Sequence, residues 1–302
     1  MSDVAALHFP KSSPLTLDEP RLMGVLNVTP DSFSDGGRFD GASGIPAAVA
    51  HARSMAEQGA SILDVGGEST RPGAARVSSE EQIQRVVPVI AAVRAMLEAE
   101  GFDATVISVD TTRVAVAEAA LEAGAQLLND VSGGAEGRAE RDGGLAALAA
   151  EAGVPLILMH MRGQPADMQV DPWYEDVVAD VTDHLDAAAE SAEALGVSPG
   201  QIVVDPGIGF GKTLTHNLEL LAGLGGLVEH QRASGRHVLL GTSRKSMFAK
   251  LDPTMADSTA RLPGTLATTA LAVAAGCRLI RVHEVLENAQ AARVAWGITG
   301  FQ

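Results

Sequence analysis

Short apolar runs recur along the whole chain, and most of them end on a polar residue. The run at 22–25 leads to Asn27, 61–63 to Asp64, 105–109 to Asp110, and 126–128 to Asn129 and Asp130. The run at 156–159 leads to His160, 202–204 to Asp205, 237–240 to "GTSRK", and 278–280 to Arg281-Val282-His283. Most neighbouring runs are separated by roughly 20–45 residues, which is room for a helix and two loops. Helix-period apolar patterns predict those helices at 45–58, 79–99, 113–122, 175–195, 216–230, 263–275 and 285–296, with a shorter, weaker one at 142–152.

Alternating strand and helix predicts an α/β protein with a parallel sheet covered by helices. Eight units suit a single closed (β/α)8 TIM-type barrel, which takes about 250 residues, better than an open sheet. The barrel is expected over 21–302. Residues 1–20, with "FPKSSPLTLDEP", read as a loosely held leader, and no linker or low-complexity stretch divides the rest. Barrel active sites lie at strand C-terminal ends. Asn27, Asp110, Asn129, Asp205 and His283 would therefore share one mouth. A helix N-cap or an Asx turn is the alternative for any single one of these polar ends, Asp64 and Asp130 above all.

Composition narrows the function. With 46% hydrophobic residues a large core is within reach, and aromatics at 3% leave it to Ala, Val, Leu and Gly, the palette of tightly packed parallel strands. A formal net charge of −16 would repel nucleic acid and anionic membranes, so neither is an expected partner. The single cysteine, Cys277, cannot form an intrachain disulfide, and "AAGCRLI" reads as small-residue packing. No stretch reaches about 18 consecutive apolar residues, and the first residues lack a basic start followed by an apolar run. A soluble, cytoplasmic protein is expected.

"DPGIGFGKT" (205–213) looks at first like a phosphate loop. A Walker loop would need glycine at 206, where the chain has Pro206, which removes a backbone donor such loops use. Asp205, at the end of a strand, is then the residue that counts, and Lys212 reads as structural or helix-facing. Long polar loops follow the first two strands: "MGVLNVTPDSFSDGGRF" (23–39) and "GGESTRPGA" (66–74). "GTSRKSMF" (241–248) places Arg244 and Lys245 beside hydroxyls, and Arg281 and His283 share one face of the last strand. An acidic chain with four lysines thus gathers Arg71, Arg244, Lys245, Arg281 and His283 at one end, as a site for anionic ligands would.

These residues resemble the dihydropteroate synthase family. The likeness runs from about Leu22 to Val294 and rests on "GVLNVTPDSFSDGG", "DVGGESTRPGA", "SVDTT", "LLNDVSGG", "LMHMRG", "DPGIGFGKT", "GTSRKSMF" and "RVHEV", all in the family's order. It implies a pterin-binding TIM-type barrel that joins a hydroxymethyl-dihydropterin diphosphate to p-aminobenzoate, giving dihydropteroate and diphosphate on the route to folate.

The residues fit that chemistry. Asp110, Asn129 and Asp205 offer carboxylate and amide groups that can pair with the polar edge of a pterin. The resemblance adds Lys245 and Met159 to that pocket. For the diphosphate it implies Asn27, Thr70, Arg71, Arg281 and His283, with Asn27 giving an oxygen to Mg2+. For p-aminobenzoate it implies Thr70, Arg71, Pro72, Phe210, Lys245 and Ser246. Catalysis would fall to Asp110, Lys245, Arg281 and His283, in an SN1-like displacement over which loops 23–39 and 66–74 close. A homodimer is also implied. A non-condensing, methyltransferase-type pterin barrel would share the floor but would have no need for "STRPGA" together with "SRKS". One departure is Glu284, where the family commonly has Asp.

Overall fold

The computed structural model describes residues 5–10, 12–28, 44–69, 76–164 and 166–300. The chain begins with an antiparallel hairpin, β1 (Ala6–Phe9) and β2 (Ser12–Thr16). Eight parallel strands follow: β3 (Arg21–Asn27), β4 (Ala60–Gly66), β5 (Val106–Asp110), β6 (Leu127–Asp130), β7 (Leu156–Met159), β8 (Ile202–Asp205), β9 (His237–Leu240) and β10 (Leu279–Val282). They close in the order β10-β3-β4-β5-β6-β7-β8-β9, so the expected barrel is the observed one. Around it lie α1 (Ile45–Glu57), α2 (Ser79–Glu100), α3 (Val114–Ala123), α4 (Gly144–Ala152), α5 (Val177–Ala194), α6 (Leu214–Ala222), α7 (Leu224–Ala233), α8 (Met247–Leu251), α9 (Leu262–Ala274) and α10 (Val285–Thr299).

Strand periodicity sorts the core into two. Outward-facing residues such as Leu63, Val65, Ile107, Val109, Val204 and Leu240 pack under the helices. Inward-facing Met23, Ile62, Val106, Leu127, Ile157, Val203, Leu239 and Leu279, one from each barrel strand, form a separate apolar layer at the N-terminal end. Leu7, Phe9, Leu15 and Leu17 join that layer. The segment expected as a loose leader is therefore, in its described part, a hairpin that stoppers the bottom of the barrel. Its apolar residues alternate, at 7 and 9 and at 15 and 17, and the barrel interior is an apolar surface that would otherwise face water. The His8 N–H also donates to Gln201 Oε1 at 3.0 Å, just before β8.

Two local expectations change. The stretch 216–230 is not one helix but α6 and α7, divided at Gly223. Glycine weakens helix continuity, and a Cβ there would sit 3.3 Å from both Val178 methyl groups of α5. The glycine- and charge-rich stretch 133–144 has a structural task. Glu136 accepts from Thr112 Oγ1 at 2.7 Å and pairs with Arg76, and Glu140 accepts the Val114 N–H at 2.8 Å. Glu140 thereby caps the start of α3, where the N-cap residue, Arg113, makes no side-chain cap of its own.

Candidate functional site

The barrel interior changes character within one strand repeat. Two residues beyond the apolar layer, the same inward face carries Asp64, Ser108, Asn129, Met159, Asp205 and Arg281, with Val25 and Gly241 completing the ring. One repeat higher stand Asn27, Asp110 and His283. The register ties them together: Asn27 pairs with Gly66, Gly66 with Asp110, Asp110 with Asn129, and Met159 with Asp205. Gly66 leaves the space between its neighbours open, since a Cβ there would lie 3.5 Å from Asp110 Cβ and 3.7 Å from Asn27 Oδ1. The expected convergence at one mouth is therefore what the fold produces.

Arg281 is the hub. Its Nε donates to Asp64 Oδ2 at 2.7 Å and its Nη2 to Asp110 Oδ2 at 2.9 Å. Asn129 Nδ2 donates to the same Asp64 oxygen at 3.1 Å. Asp64, which the sequence left open as a cap or turn residue, is instead fully buried inside the barrel and anchors both the arginine and the amide. Its Oδ1 and Ser108 Oγ have no hydrogen-bond partner among the described residues. Asp130 is the Asx-turn residue: its carboxylate accepts the Ser132 and Gly134 N–H groups at 2.9 and 3.0 Å.

Burial governs the electrostatics. It pushes the Asp110 carboxyl up to about 7, against the pull of Arg281. It also raises Asp205, whose Oδ1 accepts the Gly207 N–H at 2.7 Å. It lowers Lys245 to about 7, with Asp205 opposing the shift. For Arg281, burial works against the charge, but Asp64 and Asp110 outweigh it and hold the guanidinium protonated. The mouth thus holds carboxyl and ammonium groups poised near neutrality, a common mark of a functional site.

A cavity of about 450 Å³ opens over this layer, bordered by Asn27, Asp110, Lys245, Arg281 and His283. Phe210 and Ser246 border it too, and Lys245 Nζ sits 3.7 Å from the Phe210 ring centroid. Asn129, Met159 and Asp205 do not border it directly; they are buried in the ring of side chains that also holds Arg281. His283 Nδ1 meets Ser243 Oγ at 2.9 Å, and its N–H donates to the same hydroxyl at 3.1 Å. Thr70, Arg71 and Pro72 lie outside the described residues, as do most of the first long loop and the latter part of the second.

Arg244 borders the cavity as expected, but its charge is already paired. It adopts a left-handed φ of 59° and is paired with Glu284, its Nε donating to Oε1 at 2.6 Å. The residue that departs from the family's Asp is thus the partner that neutralises Arg244. Arg261, which sequence reasoning missed, also borders the cavity. It is spent on the carbonyls of Met255, Ala256 and Arg244, with 2.9 Å to the last. Nothing in its sequence setting signals that role.

The described residues hold no group of three or more His, Cys, Asp or Glu side chains arranged for a metal. At the cavity wall Asn27 offers a single amide oxygen. That donor set does not suit an all-protein cage. It suits a hard cation held chiefly by waters and a ligand's phosphate oxygens, as Mg2+ prefers.

A closed (β/α)8 barrel with a carboxylate–amide layer under a cationic mouth belongs, by fold and site, to the pterin-binding barrels, and a family profile described as pterin binding enzyme matches residues 23–283. The chain is 42% identical to the dihydropteroate synthase of Escherichia coli K12, covering 95% of this chain and 94% of that one. Among solved structures, a Yersinia pestis dihydropteroate synthase with a sulfonamide drug complex superposes with a TM-score of 0.84 at 40% identity, covering 98% of this chain and 99% of that one. A Xanthomonas albilineans dihydropteroate synthase with 4-aminobenzoic acid gives 0.84 at 41% identity, covering 98% of each. The chain belongs to the dihydropteroate synthase family and is a group-transferring enzyme.

Proposed function

We propose that the barrel mouth condenses (7,8-dihydropterin-6-yl)methyl diphosphate with p-aminobenzoate, releasing diphosphate and dihydropteroate, with the residues assigned as follows. The observation that carries the assignment is the Asp64–Arg281–Asp110 bridge, whose Arg281 and Asp110 border one cavity with Lys245 while Asn129 and Asp205 lie buried in the same ring of strand ends. Asp110, Asn129 and Asp205 present acceptors and an amide to the polar edge of the pterin, Met159 packs against the ring, and Lys245 closes the pocket. Leaving such buried groups unpaired would cost about 1–3 kcal/mol each, which rejects ligands that lack the matching edge.

Arg281 and His283, with Arg71 and Thr70, receive the diphosphate. Asn27 contributes an oxygen to Mg2+, which when bound supplies Lewis-acid charge at the departing phosphates. The C–O bond to the pterin methylene breaks first and its electron pair leaves with the diphosphate. The carboxylates of Asp110 and Asp205 favour the cation that forms on the pterin. The arylamine nitrogen then forms the C–N bond and gives up a proton. Thr70, Arg71, Pro72, Phe210, Lys245 and Ser246 hold the second substrate. No covalent enzyme intermediate is needed. Cys277 is accordingly inert: it is buried, its thiol is pushed up to about 12 by that burial, and it bonds the Val238 carbonyl at 3.1 Å.

The test is turnover: folded protein, pterin diphosphate, p-aminobenzoate and Mg2+ should yield diphosphate and dihydropteroate in equal amounts. A methylated folate that binds while no condensation occurs would favour the methyltransferase-type reading instead.

We also place the enzyme in the cytoplasm as a homodimer. No helix among the described residues is long and apolar enough to cross a membrane. Leu271 on α9 and Val294 and Ile298 on the adjacent α10 are each at least 60% exposed, a self-associating apolar face that light scattering would detect.

A further inference from the structure

Lys212 is the largest fully buried side chain among the described residues, 1% exposed, and the condensation scheme gives it no part. Burial lowers its amine to about 7, and Nζ has three close partners: Gly207 O at 3.0 Å, Phe210 O at 3.0 Å and His160 Nδ1 at 2.8 Å. Burial and the nearby Lys212 push the His160 imidazole down to about 2, so the ring is neutral and one of its two nitrogens can accept a hydrogen bond. A lysine so enclosed contributes little to solubility, and its only opposing charge is the Asp205 carboxylate, which counters part of the burial penalty without forming a close ion pair among the described residues. It is in the position of a cross-brace.

What it braces is the turn leaving β8. Gly207 has φ of 65°, and a Cβ there would lie 1.9 Å from the His160 carbonyl oxygen, so the turn is pressed directly onto the end of β7. Gly211, at φ of 62°, would likewise collide with the Arg162 carbonyl, at 2.3 Å. Lys212 bonds both ends of this turn to its neighbour. The Gly207 peptide it holds by the carbonyl gives its N–H to Asp205 Oδ1. The Phe210 peptide it holds likewise aims the ring that lies under Lys245 Nζ. Gln169 Nε2 donates to Gly209 O at 2.8 Å, and Asn217 Oδ1 accepts the Gly209 N–H at 2.7 Å, so the middle of the turn is fixed from elsewhere. The turn's own Phe210 N–H donates to Gly207 O at 3.1 Å, and Lys212 ties the carbonyls of both residues to His160.

We infer that Lys212 is a positioning residue for the second substrate: it acts through the backbone of Phe210 to hold the ring that walls the p-aminobenzoate pocket. This rests on the condensation reading above. Without Lys212 the Phe210 carbonyl loses its tie to His160, the residue that follows β7. Asp205 keeps its own bond to the Gly207 N–H, so the pterin side is affected less.

The experiment is steady-state kinetics on Lys212→Met, Phe210→Ala and the double variant, with thermal unfolding of each. Lys212→Met should raise KM for p-aminobenzoate about tenfold while kcat and KM for the pterin diphosphate change less than about threefold. In the Phe210→Ala background the same substitution should change KM for p-aminobenzoate less than about twofold, because the ring it positions is gone. Lys212→Gln, which keeps two N–H donors on a shorter arm, should recover part of the loss and serves if Lys212→Met does not fold. An unchanged KM in a folded variant would overturn the inference. So would equal effects with and without Phe210, or failure of both variants to fold, which would make Lys212 a stability element only. Wild-type turnover in the same assay keeps the two readings apart: an inactive wild type would remove the condensation scheme itself.

Discussion

Arg281 Nη2 stands 2.9 Å from Asp110 Oδ2, so the cation proposed to receive the diphosphate is bonded to a carboxylate proposed to face the pterin. In the proposed scheme each group serves its substrate by loosening this contact. The second carboxylate, Asp64, holds the arginine from below through Nε, so the scheme has Arg281 stay in the mouth when Asp110 engages the pterin.

Removing the arginine should leave two buried carboxylates with no cation between them. Arg281→Ala is expected to abolish detectable diphosphate binding and to cost about 3 kcal/mol of stability near neutral pH. The pH dependence has a definite sign. A carboxyl whose folded value is raised, as Asp110 is to about 7 from 3.8, contributes stability that is full below 3.8 and is lost as pH climbs through about 7. The variant, with Asp110 raised further, should melt closer to wild type at pH 5 than at pH 7.5. Parallel melting curves at both pH values would contradict this.

Lys245 gives a second proton-linked prediction. Its folded value lies near 7, below the usual 10.5, so between these values the unliganded protein holds the amine neutral while free lysine would be charged. An anionic ligand entering the cavity favours the ammonium form. Pterin diphosphate binding at pH 8.5 should therefore take up protons, seen by calorimetry in buffers of different ionisation enthalpy, and should take up far fewer at pH 6. No uptake at pH 8.5 would count against Lys245 as part of the anion site.

Asp205→Asn keeps the acceptor for the Gly207 N–H but removes the charge and one acceptor from the pterin edge. Pterin affinity should fall roughly 10- to 100-fold, about 1–3 kcal/mol. The affinity for inorganic diphosphate should remain. Calorimetry that finds pterin affinity unchanged would remove Asp205 from the floor.

At the far end of the barrel, Leu7 is fully buried within the stopper hairpin. Leu7→Ala should cost about 3 kcal/mol in thermal or denaturant unfolding. The folded fraction should keep wild-type kcat, since the catalytic mouth is at the opposite end of the strands. A loss of kcat without a loss of stability would show that the hairpin does more than close the core.

The barrel and its rim were legible because strand ends repeat. Asp110, Asn129 and Asp205 each close an apolar run, and parallel strands of a barrel bring such ends to one place. Other features were not legible, for physical reasons. The hairpin was missed because its two strands are short and Pro10 and Pro14 punctuate them, so local pattern spoke for a loop. The burial it gains depends on eight other strands. Asp64 read as a possible cap because a lone strand-end carboxylate has the same local signature whether it bonds a neighbouring amide or an arginine 217 residues away. Arg244 read as a free cation because its partner, Glu284, lies 40 residues further along the chain.

The most direct measurement is a crystal structure with pterin diphosphate bound. The pterin edge should lie on Asp110, Asn129 and Asp205, Arg281 should be turned from Asp110 onto the diphosphate while still touching Asp64, and His283 should face the same phosphates. A pterin ring bound elsewhere, or an Arg281 still bridging the two carboxylates with the diphosphate out of its reach, would contradict the account.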